Sequence, residues 1–520
     1  MRFTAKVSLL LVAACACAAD DVRLTPEERQ GEVEWLTSLG LKVPEGGPLL
    51  ETPFTPPFTA RSFLTPESWW RLPQPKDVAA NALRQDVALL RVVMEKAYGG
   101  WASAQKRGWD WNRWFAEWDQ ELAGRGTAKL ALADALAPFG TLQGVQLDNH
   151  SGPVGLPFFS SGSRTAVLDA TPQGACTQMR TVEGAIFTLD QRDPAQAPKK
   201  AQILLDVNAP EREAYYLAYP AKRGIVNGVQ CAGKWITAWP TWAHSKRLLI
   251  AHLAGTASDT PSYRAISKDM GYLRLPSFTK ENGELLRQLL AALPESAGHE
   301  KLLIIDLRSN EGGDAPVDEL ARWIDLPSAQ RVMQGLGGYR PQSCLYTALR
   351  WGYEQVTLRG LNPRLSDSLR DSLQKELDGL FAPPVAGCPV SVRETKTVWA
   401  YREHHVTTQP PAGKPRLLVL VDNECGSDCE FMTYVLAAES GSVIAGENTF
   451  GVGQFIQPGY FILPNTRLQF RIALGMSDIY GDGRSVDGYG LDVDIVLPSE
   501  EAQGGPAILR LAGRLLEQLR

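Results

Sequence analysis

Two short apolar runs, residues 302–307 and 417–421, constrain the fold of this chain most. Neither shows the in/out alternation of a half-exposed strand, so both read as strands covered on two faces, as in a parallel sheet. Residues 271–275 read as a third strand and 443–445 as a fourth, while 280–293 and 431–438 carry helical spacing between them. This strand–helix–strand order predicts an α/β core with parallel pairing. In such cores ligands collect at the carboxyl ends of the strands, and here those ends are polar: Asp306-Leu307-Arg308-Ser309-Asn310-Glu311-Gly312-Gly313 after the first run, and Asp422-Asn423-Glu424-Cys425-Gly426-Ser427-Asp428-Cys429-Glu430 after the second.

The second turn places Ser427 between a buried strand and the first turn of a helix, beside free backbone N–H groups and the positive end of the helix dipole. That makes it the best nucleophile candidate in the chain. A serine followed three residues later by a glutamate is also a helix capping box, which is the competing structural reading. A serine nucleophile needs a base, and there are six histidines. His150, in the polar turn Asp148-Asn149-His150-Ser151-Gly152, has the setting closest to a catalytic loop; a solvated surface histidine is the alternative.

The 520 residues suffice for several domains, and the 44% apolar content fills real cores. A formal net charge of −5 gives no basic surface for nucleic acid. Residues 1–19 read as an export signal, with Arg2 and Lys6 before an apolar stretch too short to span a bilayer. Ordinary cleavage near Ala19 competes with processing at a lipoprotein-like box that would leave a lipidated Cys15. Residues 20–76 form an arm with eight prolines between Pro44 and Pro75 and interspersed aromatics. A helical region follows over 77–150: Leu83, Val87, Leu90, Met94 and Ala97 share one face, Trp111, Phe115 and Trp118 another, and 128–136 reads as a third helix. Residues 151–260 read as a small β-rich domain, 261–500 as the α/β core with an insertion at about 326–400 that is placed to cover a site, and 501–520 as a C-terminal helix.

Cleavage at the signal leaves six cysteines, an even number suited to an oxidising compartment. Six allow about 15 pairings, of which sequence order makes Cys176–Cys231, Cys344–Cys388 and Cys425–Cys429 the simplest. They lack zinc-site spacing.

Four blocks together resemble the tail-specific (C-terminal processing) and tricorn-type serine peptidases. They are Gly271-Tyr272-Leu273-Arg274-Leu275, Ile304-Ile305-Asp306-Leu307-Arg308-Ser309-Asn310-Glu311-Gly312-Gly313, Ser427-Asp428-Cys429-Glu430 and Gly446-Glu447-Asn448-Thr449-Phe450-Gly451-Val452-Gly453. Their order and spacing agree across roughly residues 262–498. The resemblance implies a Clp protease/crotonase-like α/β peptidase core acting on peptide or unfolded protein, with no metal or organic cofactor. Processing peptidases use a Ser–Lys dyad whose lysine falls at 452, where this chain has Val452. Valine moves no proton. Tricorn-type members use a histidine from an upstream loop, matched by His150, and a carboxylate near the C-terminal end, matched by Asp487 where that branch usually has Glu; Asp494 belongs to the structural part of that block.

The chemistry expected is acyl transfer: Ser427 attacks, His150 moves the proton, Asp487 orients the imidazole, and the N–H of Asp428 with that of Gly312 or Gly313 receives the oxyanion. The rival reading is a catalytically retired peptidase fold that binds a peptide or apolar ligand, favoured by Val452 and by Asp in place of Glu at 487. An α/β-hydrolase esterase fits poorly, because the nucleophile turn is not Gly-x-Ser-x-Gly. An exported peptidase of the bacterial periplasm or cell envelope, monomeric or oligomeric, is the resulting expectation.

Overall fold

The computed structural model describes residues 26–43, 75–146, 148, 150–153, 163–190, 194–204, 212–240, 259–313, 316–326, 328–343, 345–347, 349–350, 370–371, 374–375, 378, 390–401 and 409–519. The expected export signal, Cys15, Cys344, Cys388 and residues 44–74 of the proline-rich arm lie outside these residues, whereas Pro26–Ser38 of the arm is a helix. Within them no helix is long and apolar enough to cross a membrane.

The apolar runs form the centre of a parallel sheet. Met270–Arg274, Leu302–Asp306, Arg416–Val421, Val443–Gly446 and Ile495–Val496 lie side by side in that order, each parallel to the next. Both faces are covered, which is why the sequence shows no alternation. Leu303, Ile305, Leu417 and Val419 pack with Leu286 of the helix Lys280–Ala292 and Met432 of the helix Asp428–Ala437. Leu302, Ile304, Leu418 and Leu420 face Ile508, Leu511 and Leu515 of the C-terminal helix Gly505–Glu517. Each such side chain contributes on the order of 1.5–3 kcal/mol through burial.

The strands of the 151–260 segment continue this sheet. Lys199–Ile203 pairs in parallel with Ile495–Val496, six further strands extend the sheet antiparallel beyond it, and Ser262–Ser267 adds an antiparallel edge beside Met270–Arg274, to a total of 13 among the described residues. The β-rich segment is therefore not a detached layer: the short strand Ile495–Val496 has a backbone edge to satisfy, and Lys199–Ile203 fills it. At its far end Cys176 and Cys231 face each other on paired strands and are disulfide-bonded.

A second, antiparallel sheet runs Ser391–Thr395, Gly338–Gln342, Gln469–Ser477, Phe455–Ile462, with Gly152–Pro153 also pairing with Gln469–Ser477. The helices Ala80–Ala97 and Trp111–Arg125 lay Leu83, Val87, Leu90, Met94, Trp111, Phe115 and Trp118 into one core with Phe461 and Phe470 of this sheet. Trp111 and its aromatic neighbours are core, as their spacing implies. The stretch 128–136 differs from expectation. Lys129–Ala131 pairs as a strand with Asp77–Ala79, and helix begins only at Leu132, because the backbone pairing outcompetes a weak local helix preference.

Candidate active site

The strand Arg416–Val421 ends on the buried Asp422, whose carboxylate accepts the N–H groups of Ser309 (2.9 Å) and Glu424 (3.0 Å). The Gly426 N–H reaches the Asn310 carbonyl at 3.0 Å, so the polar ends of two neighbouring strands are tied together. Behind them burial pushes Asp306 up, but the fork of Arg308 (2.9 and 2.6 Å) and the nearby Arg274 bring it down to about 2, keeping it ionised and the loop fixed.

Ser427 sits at φ 54°, one of the few non-glycine residues in the left-handed region. Such a conformation costs on the order of 1–3 kcal/mol and persists only where the surroundings impose it. Two devices do so. Cys425 and Cys429 are disulfide-bonded across the turn. The buried Glu430 accepts from Ser427 N–H (3.2 Å), Gly451 N–H (2.8 Å), Val452 N–H (2.7 Å) and the Thr449 hydroxyl, joining the serine turn to the loop 449–453. Burial pushes Glu430 up to about 7, against the pull of these donors. The glutamate half of the capping box is thus present, yet its carboxylate serves a second loop as well, which Ser-x-x-Glu alone could not reveal.

Ser427, His150, Asp428, Gly313 and Val452 line one cavity of about 560 Å³. The His150 loop is sewn to the second sheet by the pairing of Gly152 with Arg471 and by Ser151 Oγ, which accepts from Ala473 N–H at 2.8 Å. One imidazole nitrogen and one carboxylate oxygen each of Asp148 and Asp487 lie within 4.8 Å of one another. Asp148 also accepts the His150 backbone N–H at 2.7 Å, an Asx turn that sets the ring's direction. Burial holds His150 down at about 4, aided by Arg471, so it is a neutral imidazole at neutral pH; its Nδ1 is buried with no hydrogen-bond partner among the described residues. Burial raises Asp148. Two carboxylates and an imidazole at this spacing form a donor set that could hold a divalent cation as well as a hydrogen-bonded triad. His244, His252, His404 and His405 lie outside the described residues.

Asp487 is fully buried, and its Oδ1 accepts from Gln454 N–H at 2.8 Å. Its loop interlocks with 449–453: a Cβ on Gly451 would meet Gly488 N at 2.8 Å, so glycine is required there. Asp494 Oδ2 accepts from Ile444 N–H at 2.9 Å, a structural bond at the sheet.

The glycine turn separates its two candidate donors. Gly312 N–H is bound to Asn310 Oδ1 at 2.9 Å and is not available to an oxyanion, which corrects the expectation for that residue. Gly312 instead permits contact: a Cβ there would meet Gly426 O at 2.5 Å and Ser427 Cβ at 3.0 Å. Gly313 and Asp428 line the cavity together with Ser427.

Residues 269–497 match the sequence model of peptidase family S41. That match covers the C-terminal part of this chain and is to a family of serine peptidases. Solved structures similar to the chain include mature CPAF complexed with lactacystin, at 13% identity over 85% of this chain and 98% of that one, TM-score 0.40. The photosystem II D1 C-terminal processing protease is similar at 13% identity over 81% and 93%, TM-score 0.33, and tricorn protease at 12% over 85% and 37%, TM-score 0.35. No curated protein sequence matches. Val452 lies beside the turn that carries Ser427: a Cβ on Gly426 would meet its Cγ2 at 3.3 Å. Among the described residues the one lysine lining this cavity is Lys396, one residue past the strand Ser391–Thr395.

The disulfide at this turn carries a prediction. Closing so short a loop is worth about 2 kcal/mol by loop entropy, but it braces the strained turn that carries Ser427. The Cys425→Ser/Cys429→Ser double variant is expected to lose at least about tenfold in kcat with a modest fall in Tm, checked by paired kinetics and calorimetry. Equal kcat would show that the turn holds itself.

Proposed function

We propose that the protein is an exported serine peptidase that hydrolyses peptide bonds through an acyl-enzyme, using Ser427, His150 and Asp487 in the tricorn-like manner rather than a Ser–Lys dyad. The observation that carries this reading is the shared cavity: the strained Ser427 and a neutral His150 clustered with Asp487 line it together with Gly313 and Asp428, while position 452 offers only an apolar side chain. Ser427 Oγ attacks the scissile carbonyl. His150 takes its proton and returns it to the leaving amine, and the process repeats with water to release the acyl group. Asp487 orients the ring, and the imidazolium formed in each step is stabilised by Asp487 and Asp148. The export signal read from residues 1–19 of the sequence, together with the disulfides Cys176–Cys231 and Cys425–Cys429, supports a periplasmic or cell-envelope location.

The test is hydrolysis of an unfolded protein substrate by wild type, Asp487→Ala and Val452→Lys. Asp487→Ala is expected to lose roughly 10²–10⁴ in kcat, less than loss of nucleophile or base. Val452→Lys should give no gain, because the cavity already presents His150 and Glu430 holds the 452 backbone in place. A lysine variant faster than wild type would overturn the histidine mechanism.

A further inference from the structure

The strands Gly338–Gln342 and Ser391–Thr395 form an antiparallel ribbon in which Arg340 is directly opposite Arg393. Directly opposed residues share a face, so both arginine side chains leave the ribbon on one side, where like charges directly opposite destabilise a sheet. Gly338, Arg340, Arg393 and Thr395, all on that face, line the same cavity as Ser427. The acid of this ribbon, Glu394, points to the other face, where Lys106 engages it at 3.3 Å together with the Tyr339 hydroxyl at 2.7 Å. Neither Arg340 nor Arg393 has an ion-pair partner among the described residues. Lys396, one residue past the ribbon, adds a further positive charge to the cavity wall. A chain of net charge −5 thus keeps two unpaired cations opposed on one wall of its catalytic cavity.

We propose that the Arg340–Arg393 pair receives a carboxylate of the bound peptide, making acidic peptides the preferred substrates of this site. The proposal rests on the peptidase reading for the word substrate, but the binding it describes does not depend on turnover. A carboxylate bridging two guanidinium forks removes their repulsion and forms charge-assisted hydrogen bonds. Because both arginines are exposed, the attraction is screened by salt and acts on capture of the peptide rather than on the chemical step. The carboxylate has two sources, an acidic side chain or the peptide's own C-terminus.

The test uses full-length Ser427→Ala protein and fluorescein-labelled peptides of one sequence in four forms, Glu or Gln at one interior position and free acid or amide at the C-terminus. Fluorescence anisotropy is expected to show the acidic form bound at least about tenfold more tightly than its neutral counterpart at low salt. That preference should fall several-fold in Arg340→Ala and in Arg393→Ala, while Tm stays at or above that of the parent because a repulsive pair has been removed. A Glu/Gln difference identifies a side-chain carboxylate; an acid/amide difference identifies the terminus. Equal binding of all four forms, or a preference unchanged by either arginine substitution, overturns the proposal. Turnover of the same peptides by protein retaining Ser427 separates the two readings: binding preference without hydrolysis contradicts the peptidase mechanism alone, and hydrolysis without preference contradicts the arginine site alone.

Discussion

Ser427→Ala is expected to abolish peptide hydrolysis, lowering kcat by roughly 10⁶ as removal of a serine nucleophile does, while leaving folding nearly intact. The side-chain oxygen makes the covalent bond, and the residues beside it offer no replacement: Val452 is inert, and the neighbouring cysteines are joined in a disulfide. The contacts that hold the turn, from Glu430, Asp422 and the disulfide, reach backbone atoms or other residues and survive the change. The positive φ also remains, since alanine is no easier there than serine. Tm should therefore shift by no more than the equivalent of about 1 kcal/mol. Substantial residual hydrolysis by this variant would remove Ser427 from the mechanism.

His150→Ala is expected to cost nearly as much in kcat, roughly 10⁴ or more, because no other histidine among the described residues lines the cavity. Its pH signature is more specific than its size. Burial lowers the imidazole from its usual 6.5 to about 4, so kcat/KM of the wild type should hold its plateau down through pH 5 and fall only as pH approaches 4. The same shift acts on stability. Between about pH 4 and 6.5 the unfolded chain binds a proton at this position that the folded protein does not, so stability is full above 6.5 and is lost as pH falls through 4. His150→Ala deletes this contribution and should flatten that part of the stability profile. An acid limb near 6.5 would mean that the ring is hydrated or paired more strongly than its surroundings imply.

Much of this was readable from local sequence. Continuous apolar runs gave the buried parallel strands, and the glycine-bearing turns after them gave both walls of the site. Helical spacing of Leu83 to Ala97 gave the face that packs on the second sheet. What escaped depends on contacts between distant segments. Residues 128–131 read as helix because the pairing partner lies some 50 residues earlier in the chain. The continuity of the β-rich segment with the core rests on Ile495–Val496 meeting Lys199–Ile203, a register no local pattern encodes. Asp148 had a faint signal, standing two residues before His150 in an Asx-turn position. Arg340 and Arg393 had none, since their opposition exists only after the ribbon closes. Gly312 and Gly313 are indistinguishable in sequence, and Asn310 alone separates their roles by occupying one N–H.

The central claim, that Ser427 is a nucleophile activated by His150, is tested most directly by reaction with a fluorophosphonate followed by peptide mass mapping. Covalent phosphonylation confined to Ser427 in the wild type, and slowed by at least about a hundredfold in His150→Ala, is the predicted result. Intact, folded wild-type protein that takes up no label at Ser427, or a His150→Ala variant labelled at the wild-type rate, would contradict it and favour a retired peptidase fold that binds rather than cleaves.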